Sequence, residues 1–365
     1  MKQAYFLRKA RWAVCALFTL TVFTACGDDD ETLLPPPAQP AVESALVLNQ
    51  GSMYSGISST MDALNLTDGT YTSSVFSAIN GSSLGDNAID GVAHGSKVYI
   101  AMYGSDLVWA IDRNTLKVQK GIPTNDPEGI CAAGKYVYVS NNDGFVSRID
   151  TTTLTVDKRI EVGPNPAHLT VSGDYLYVSI SDGYNYDEVY INGYRVAKVS
   201  LSTFTKEKDL KVGVNPGPIC TDSDGTVFVV SRGNYADVAP MAYRITQNDE
   251  VTEFCQASNI AVKGTTLYTI YNYTDWTQSP AATTLTYAAY DTRTGLPTAF
   301  NLDPDHLPAA PIDLDIDPVS GDLYIGSNAS SYDYTTPGYV YRYSANGTFK
   351  SCYPAGVAPC AVVFK

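Results

Sequence analysis

Arg159-Ile160-Glu161-Val162-Gly163-Pro164-Asn165-Pro166-Ala167-His168-Leu169, continued by Gly173-Asp174-Tyr175-Leu176-Tyr177-Val178-Ser179, decides how the chain folds. An extended run ends at Gly163-Pro164-Asn165-Pro166, a cluster of residues that favour turns. A second apolar run, His168-Leu169-Thr170-Val171, reaches the tight turn Ser172-Gly173-Asp174. A third, Leu176-Tyr177-Val178, carries the β-branched and aromatic residues that suit a pleated surface. Short apolar runs bounded by Gly, Pro, Asn and Ser predict strands rather than helices.

The third run recurs along the chain as Leu46-Val47-Leu48, Val98-Tyr99-Ile100, Val137-Tyr138-Val139, Val227-Phe228-Val229, Leu267-Tyr268-Thr269 and Leu323-Tyr324-Ile325. With Leu176-Tyr177-Val178 that makes seven copies, whose middle residues are spaced by 52, 39, 39, 51, 40 and 56. Each copy follows another apolar run and a tight turn. Each precedes an alternating run such as Val146-Ser147-Arg148-Ile149-Asp150, and a fourth strand such as Thr155-Val156-Asp157-Lys158-Arg159-Ile160. Four antiparallel strands in a unit of about 40–45 residues mark a β-propeller blade. Residues 45–365 therefore predict an all-β, seven-bladed β-propeller with four antiparallel strands per blade. The first unit lacks a leading strand, and Gly356–Phe364 is a leading strand with no unit after it. The C-terminal strand is expected to pair with the N-terminal blade and close the ring, removing an open edge.

Composition agrees. The 365 residues include 27 Tyr and 28 Gly but only 3 His, and 17% are charged. A net charge of −14 repels phosphate backbones, so nucleic acid is not an expected partner.

The first 25 residues have the outline of a signal peptide: Lys2, Arg8, Lys9 and Arg11, then an apolar stretch from Trp12 to Phe23 too short to span a bilayer. Phe23-Thr24-Ala25-Cys26 resembles a bacterial lipobox, which implies lipidation of Cys26. Gly27-Asp28-Asp29-Asp30-Glu31 is similar to the acidic export tag of Bacteroidetes surface lipoproteins; a plain solvated tether is the alternative. Pro35-Pro36-Pro37 and Pro40 stiffen the remainder, giving a lipidated acidic and Pro-rich tether over 26–44. Without residues 1–25 the chain keeps 20 basic and 38 acidic residues, a charge of −18. The expected location is the outer membrane, lipid-anchored and exposed at the cell surface. Cys131, Cys220, Cys255, Cys352 and Cys360 remain, odd in number and without a C-x-x-C pair. They are expected as small buried hydrophobes, with a Cys352–Cys360 bridge as the alternative.

The stretch around Gly163-Pro164-Asn165-Pro166, whose opening recurs at Lys211-Val212-Gly213-Val214-Asn215-Pro216, resembles the YVTN-type propeller repeat. With its N-terminal segment, the whole chain is similar to the YncE-like surface lipoproteins of Bacteroidetes. Some members of that group resemble a cobalamin-capturing partner of a TonB-dependent outer-membrane transporter. The resemblance implies a small-molecule nutrient as ligand, a corrinoid first, handed to such a transporter. It implies no cofactor.

The two ends of the ring are expected to differ. Turns such as Gly95-Ser96 and Gly134-Lys135 are short on one face. On the other, the loops between second and third strands reach 49–61, 181–195, 230–242, 271–284 and 327–339, and seven such loops carry 12 of the 27 Tyr. Tyr on long loops offers large rings at low entropy cost, with a hydroxyl for hydrogen bonding. The candidate ligand-binding residues of these loops are Tyr54, Tyr103, Tyr184, Tyr186, Arg232 and Tyr235, then Tyr271, Tyr273, Trp276, Tyr332 and Tyr334. Where each blade begins, Asn87, Asp90, Glu128, Asn165, His168 and Asn215 add polar candidates. For the rings the alternative is packing of their own loops, for Asn before Pro ordinary turn chemistry, and for His168 packing in the channel wall.

Catalytic motifs such as G-x-S-x-G and H-E-x-x-H are absent, and an enzyme is not expected. Asp90, Glu128 and Asp313, in separate blades, would suit the metal site of a hydrolase only if the ring brought them together. Asp315 and Asp317 read as turn-proximal or solvent-facing. A propeller binding a protein or glycan is the other class of reading.

Overall fold

The computed structural model describes residues 44–365; the signal peptide, Cys26 and the tether to residue 43 lie outside the described residues. Seven antiparallel sheets follow one another along the chain. Blade 2 is built from Ala88–His94, Lys97–Met102, Leu107–Asp112 and Val118–Pro123, in that order from the inside out. Blades 3, 4 and 5 repeat the plan, with leading strands Pro127–Ala133, Pro166–Ser172 and Pro216–Thr221. The leading strands of successive blades pack side by side, and the last returns to the first, so they line a central channel.

Closure occurs as the sequence predicts. Pro359–Phe364 pairs with Ser44–Asn49, aligning Leu46 with Val363 and Leu48 with Ala361. Blade 1 thus takes its innermost strand from the C-terminus.

Why the motif recurs is visible in the core. Successive side chains of a strand point to opposite faces of its sheet. In blade 3, Val137 and Val139 pack against Tyr99 and Ala101 of blade 2, while Tyr138 packs against Leu176 and Val178 of blade 4. Each middle aromatic is therefore buried against the next blade and its neighbours against the previous one. Seven apolar clusters fill the seven blade interfaces. Blade 1 departs by one residue: Leu46 and Leu48 face blade 2, and Val47 faces blade 7. Its structural equivalent of Val98-Tyr99-Ile100 is Ala45-Leu46-Val47, because both Asn49 and Met102 end their strands.

Three features are not foreseen in the sequence. Blade 6 holds three strands, Asn259–Lys263, Thr266–Asp275 and Ala282–Asp291, and an isolated bridge between Tyr290 and Pro297 stands at the outer position. Its two long strands form a ten-residue ladder that rises above the sheet. A short helix, Val75–Asn80, packs Phe76 against Trp109 with ring centroids 5.8 Å apart. Finally, Cys352 is exposed on the outer strand Phe349–Val357, where burial is expected; Cys360 lies on the channel strand, and both are free thiols. The alternative of a bridge between them is not realised.

Candidate ligand-binding face

Five of the seven blades begin with one residue held in the left-handed region. Asn87 (φ 57°), Asp126 (39°), Asn165 (45°) and Asn215 (55°) occupy it, and Ala358 (53°) does so for blade 1. Asn and Asp tolerate this conformation better than other residues with a Cβ. The carbonyl of each accepts the N–H of the first residue after the second strand: Asn87 from Tyr103, Asp126 from Asn142, Asn165 from Ser181 and Asn215 from Arg232. This is turn chemistry, and it explains the Asn-Pro pairs. The Asn165 amide also donates to the Asn142 carbonyl at 3.1 Å and accepts from the Tyr184 N–H at 3.1 Å. Asn87, Asn165 and Asn215 thus shape the face through their backbones.

Gln50, Tyr103, Asn142, Ser181 and Arg232 are anchored in this way, and with Asn272, whose N–H donates to Ser258 Oγ at 2.9 Å, and Asn328 at the equivalent positions they form a ring of seven. Each stands four residues after the aromatic, or its equivalent, that marks the second strand. All project from the end that carries the long loops. Two cavities open among them.

The larger, about 650 Å³, lies over blades 5, 6 and 7. Arg232 and Tyr235 come from the blade 5 loop, Tyr273 and Trp276 from the raised hairpin of blade 6, and Tyr332 and Tyr334 from the blade 7 loop. The floor is formed by Asn259, Asn272, Ile312 and Asn328. The Trp276 and Tyr332 rings stand 6.3 Å apart at 54°, both exposed. The Tyr273 hydroxyl donates to the Ala236 carbonyl at 2.7 Å, tying hairpin to neighbouring loop. The smaller cavity, about 220 Å³, shares Arg232 and Tyr235 and adds Glu128, Asn165, Tyr184 and Asn215.

Most of the expected residues therefore converge. Arg232, Tyr235, Tyr273, Trp276, Tyr332 and Tyr334 share the large cavity, and Glu128, Asn165, Tyr184 and Asn215 the small one. Tyr103 reaches the same region through a 2.6 Å hydrogen bond between its hydroxyl and that of Tyr184. Others do not join. Tyr54 is 98% exposed, Tyr186 lines neither cavity, and Tyr271 is buried against Tyr273. Asn142, Asn272 and Asn328 were missed, although their fixed offset from the strand motif marks them.

Asp90 and His168 sit deeper, on the channel strands. Burial first, then the neighbouring Arg232 charge, pushes the His168 imidazole down to about 3. The ring is neutral and accepts from Arg232 Nη2 through Nε2 at 3.2 Å, which leaves its proton on Nδ1. Asp90 accepts the Gly91 N–H at 2.7 Å and the Ile130 N–H at 3.1 Å. Burial outweighs these bonds and, with Asp315 and Glu128 nearby, raises its carboxyl to about 7. Burial likewise raises Glu128, with Arg232 opposing.

One carboxylate expectation needs correction. Asp317 is turn-proximal, accepting from the Val319 N–H at 2.8 Å, but Asp315 is neither at the turn nor in solvent. It accepts the Val362 N–H at 2.6 Å across the ring closure, beside Asp313, and burial raises both groups. Nor do Asp90, Glu128 and Asp313 converge on a metal site: among the described residues no three His, Cys, Asp or Glu side chains are grouped to hold an ion.

Fold and face together define a seven-bladed propeller with a recessed, aromatic-walled face. No family model matches the chain. Antigen Lp49 of Leptospira interrogans is 34% identical over 105 residues, which is 24% of this chain and 23% of that protein. Among solved structures, a quinonprotein alcohol dehydrogenase-like protein from Bacteroides thetaiotaomicron superposes with a TM-score of 0.64 at 12% identity, covering 88% of this chain and 78% of the other. Hydrazine synthase of Kuenenia stuttgartiensis gives 0.60 at 17% identity, covering 76% and 89%. At these identities the likeness is one of fold, and the fold is shared with named enzymes.

Proposed function

We propose that this protein captures a small nutrient in the large cavity, without catalysis, and passes it to a TonB-dependent outer-membrane transporter. In this reading it is a lipoprotein held through Cys26 and exposed at the cell surface. The observation that carries it is the aromatic-walled cavity, assembled by loops whose length varies on one face alone. Its volume falls within the range of about 300–1,000 Å³ typical of small-molecule sites, and its lining mixes rings with amides and hydroxyls as such sites do. The similarity of the repeat and N-terminal segment to cobalamin-capturing lipoproteins favours a corrinoid. A corrin ring exceeds the cavity, so an amide-bearing edge enters it while the ring face spreads over Tyr332 and Trp276.

Calorimetry with cyanocobalamin tests the ligand. Binding that weakens about tenfold or more in Trp276→Ala and Tyr332→Ala supports the reading, because rings of this kind dominate binding energy. No heat and no thermal shift removes the corrinoid. A glycan is the second reading, favoured by the exposed Trp276 and Tyr332 rings, whose faces suit the C–H surfaces of a sugar. A glycan array separates the two.

A further inference from the structure

We propose that the large cavity selects ligands carrying an anionic oxygen group, a carboxylate or phosphodiester, which Arg232 receives while Asn328 takes a hydrogen bond from the same molecule. The inference deepens the capture reading and rests on it.

Three observations converge. First, the chain has 38 acidic and 24 basic residues, yet no Asp or Glu lines the large cavity and Arg232 is its one charged residue. A cation would meet the guanidinium there with no carboxylate among the lining residues. Second, Arg232 is not consumed by the protein. Among the described residues it forms no ion pair, and its side-chain hydrogen bond goes to the neutral His168 ring at 3.2 Å. Glu128 acts on it through space from the smaller cavity without reaching ion-pair distance. A guanidinium has five donors in a planar fork, the geometry that carboxylate and phosphate oxygens match. Third, Asn328 is 3% exposed, and its Oδ1 is buried without a hydrogen-bond partner on the cavity floor. A buried acceptor left unpaired is costly, so a ligand hydroxyl or amide N–H gains by meeting it.

The sequence also makes room for Arg232. A Cβ on Gly217 would lie 2.4 Å from its Cζ and 2.5 Å from its Nε. Gly217, between Pro216 and Pro218, leaves the slot in which the guanidinium rests. Because the crowded atoms are the far end of a flexible side chain, Gly217→Ala would displace the fork and spare the backbone.

The two sources of the anion are separated by paired probes. Trigalacturonic acid is compared with its methyl ester, which removes the carboxylates alone. Cyanocobalamin is compared with dicyanocobinamide, which lacks the phosphodiester. Each is titrated by calorimetry into the wild type, Arg232→Gln, Gly217→Ala and Trp276→Ala, with thermal melts confirming that each variant folds. The expected result is that within one pair the anionic member binds about tenfold or more tighter, and less so at high salt. Arg232→Gln and Gly217→Ala should both erase that margin and leave the other member unchanged. Equal binding within both pairs, or a margin that survives Arg232→Gln, overturns the inference. If such binding is also lost in Trp276→Ala, the capture reading stands without it. No binding by any of the four probes overturns the inference and the capture of these two ligand classes together.

Discussion

At the scale of single residues, burial decides which polar side chains act and which hold the ring. Asp90 is one that holds it. Its carboxyl stands near 7 in the fold against an ordinary value of 3.8, because burial outweighs two backbone N–H bonds. A raised carboxyl means that the folded state binds the extra proton between those two values, so this group stabilises below about pH 4 and loses that contribution as pH rises through 7. Asp313 and Asp315 are raised as well and add in the same direction. The melting temperature should therefore carry a downward component between pH 5 and pH 8 that shrinks in Asp90→Asn. Parallel melting curves for the two proteins across that range would refute the assignment. Legibility at this scale was uneven. The turn role of Asn165 and Asn215 follows from Asn-Pro chemistry, but nothing in Ile312-Asp313-Leu314-Asp315 tells that both acids are buried, Asp315 against the closing strand. Where the leading strand breaks between Ala310–Pro311 and Asp315–Ile316, alternation no longer reports which face a side chain takes.

Elements show the same contrast. The second strand of each blade was legible because its motif is fixed by two buried faces. For that reason its phase was ambiguous in blade 1: with both faces apolar, Ala45-Leu46-Val47 and Leu46-Val47-Leu48 look alike, and a slip of one residue exchanges the faces. The helix Val75–Asn80 was invisible because six residues are too few to show a 3.6-residue period. The hairpin of blade 6 was read only as a long loop, whereas it is a ladder in register to Asp275 and Ala282, with Trp276 just past its end. Its tip is expected to serve binding and not folding, since it rises clear of the sheet. Replacing residues 276–281 by Asn-Gly, a pair suited to a two-residue turn, should leave the melting temperature within a few degrees and abolish binding of any ligand that titrates into the large cavity. A large fall in melting temperature would show instead that the tip stabilises the ring.

The whole molecule depends on one junction. Five of the seven blade interfaces join blades continuous in sequence, but blade 1 is assembled from both ends of the described chain. Removing Pro359–Lys365 would bare the edge of Ser44–Asn49 and strip Val362 and Val363 from the interfaces of blade 1 with its two neighbours. Exposed strand edges invite pairing with other chains. The truncated protein should aggregate or melt far below the full chain, and adding the missing segment as a peptide should recover part of the loss. A truncated protein that stays monomeric and as stable as the parent would show that closure is dispensable. Ring count and closure were legible because they follow from repeat arithmetic; the cavity was not, because five separate segments of three blades build it and only the ring positions after each motif repeat in sequence.

Ser44–Asn49 lies between Thr60–Asn65 and Pro359–Phe364, hydrogen-bonded to both, and runs toward the long-loop end. The chain thus joins the ring at the end opposite the cavities. A load applied between Ser44 and the long-loop face pulls this strand lengthwise through two ladders. Their bonds are strained in shear, all together, rather than peeled one after another. The ring is built to resist tension applied along that line.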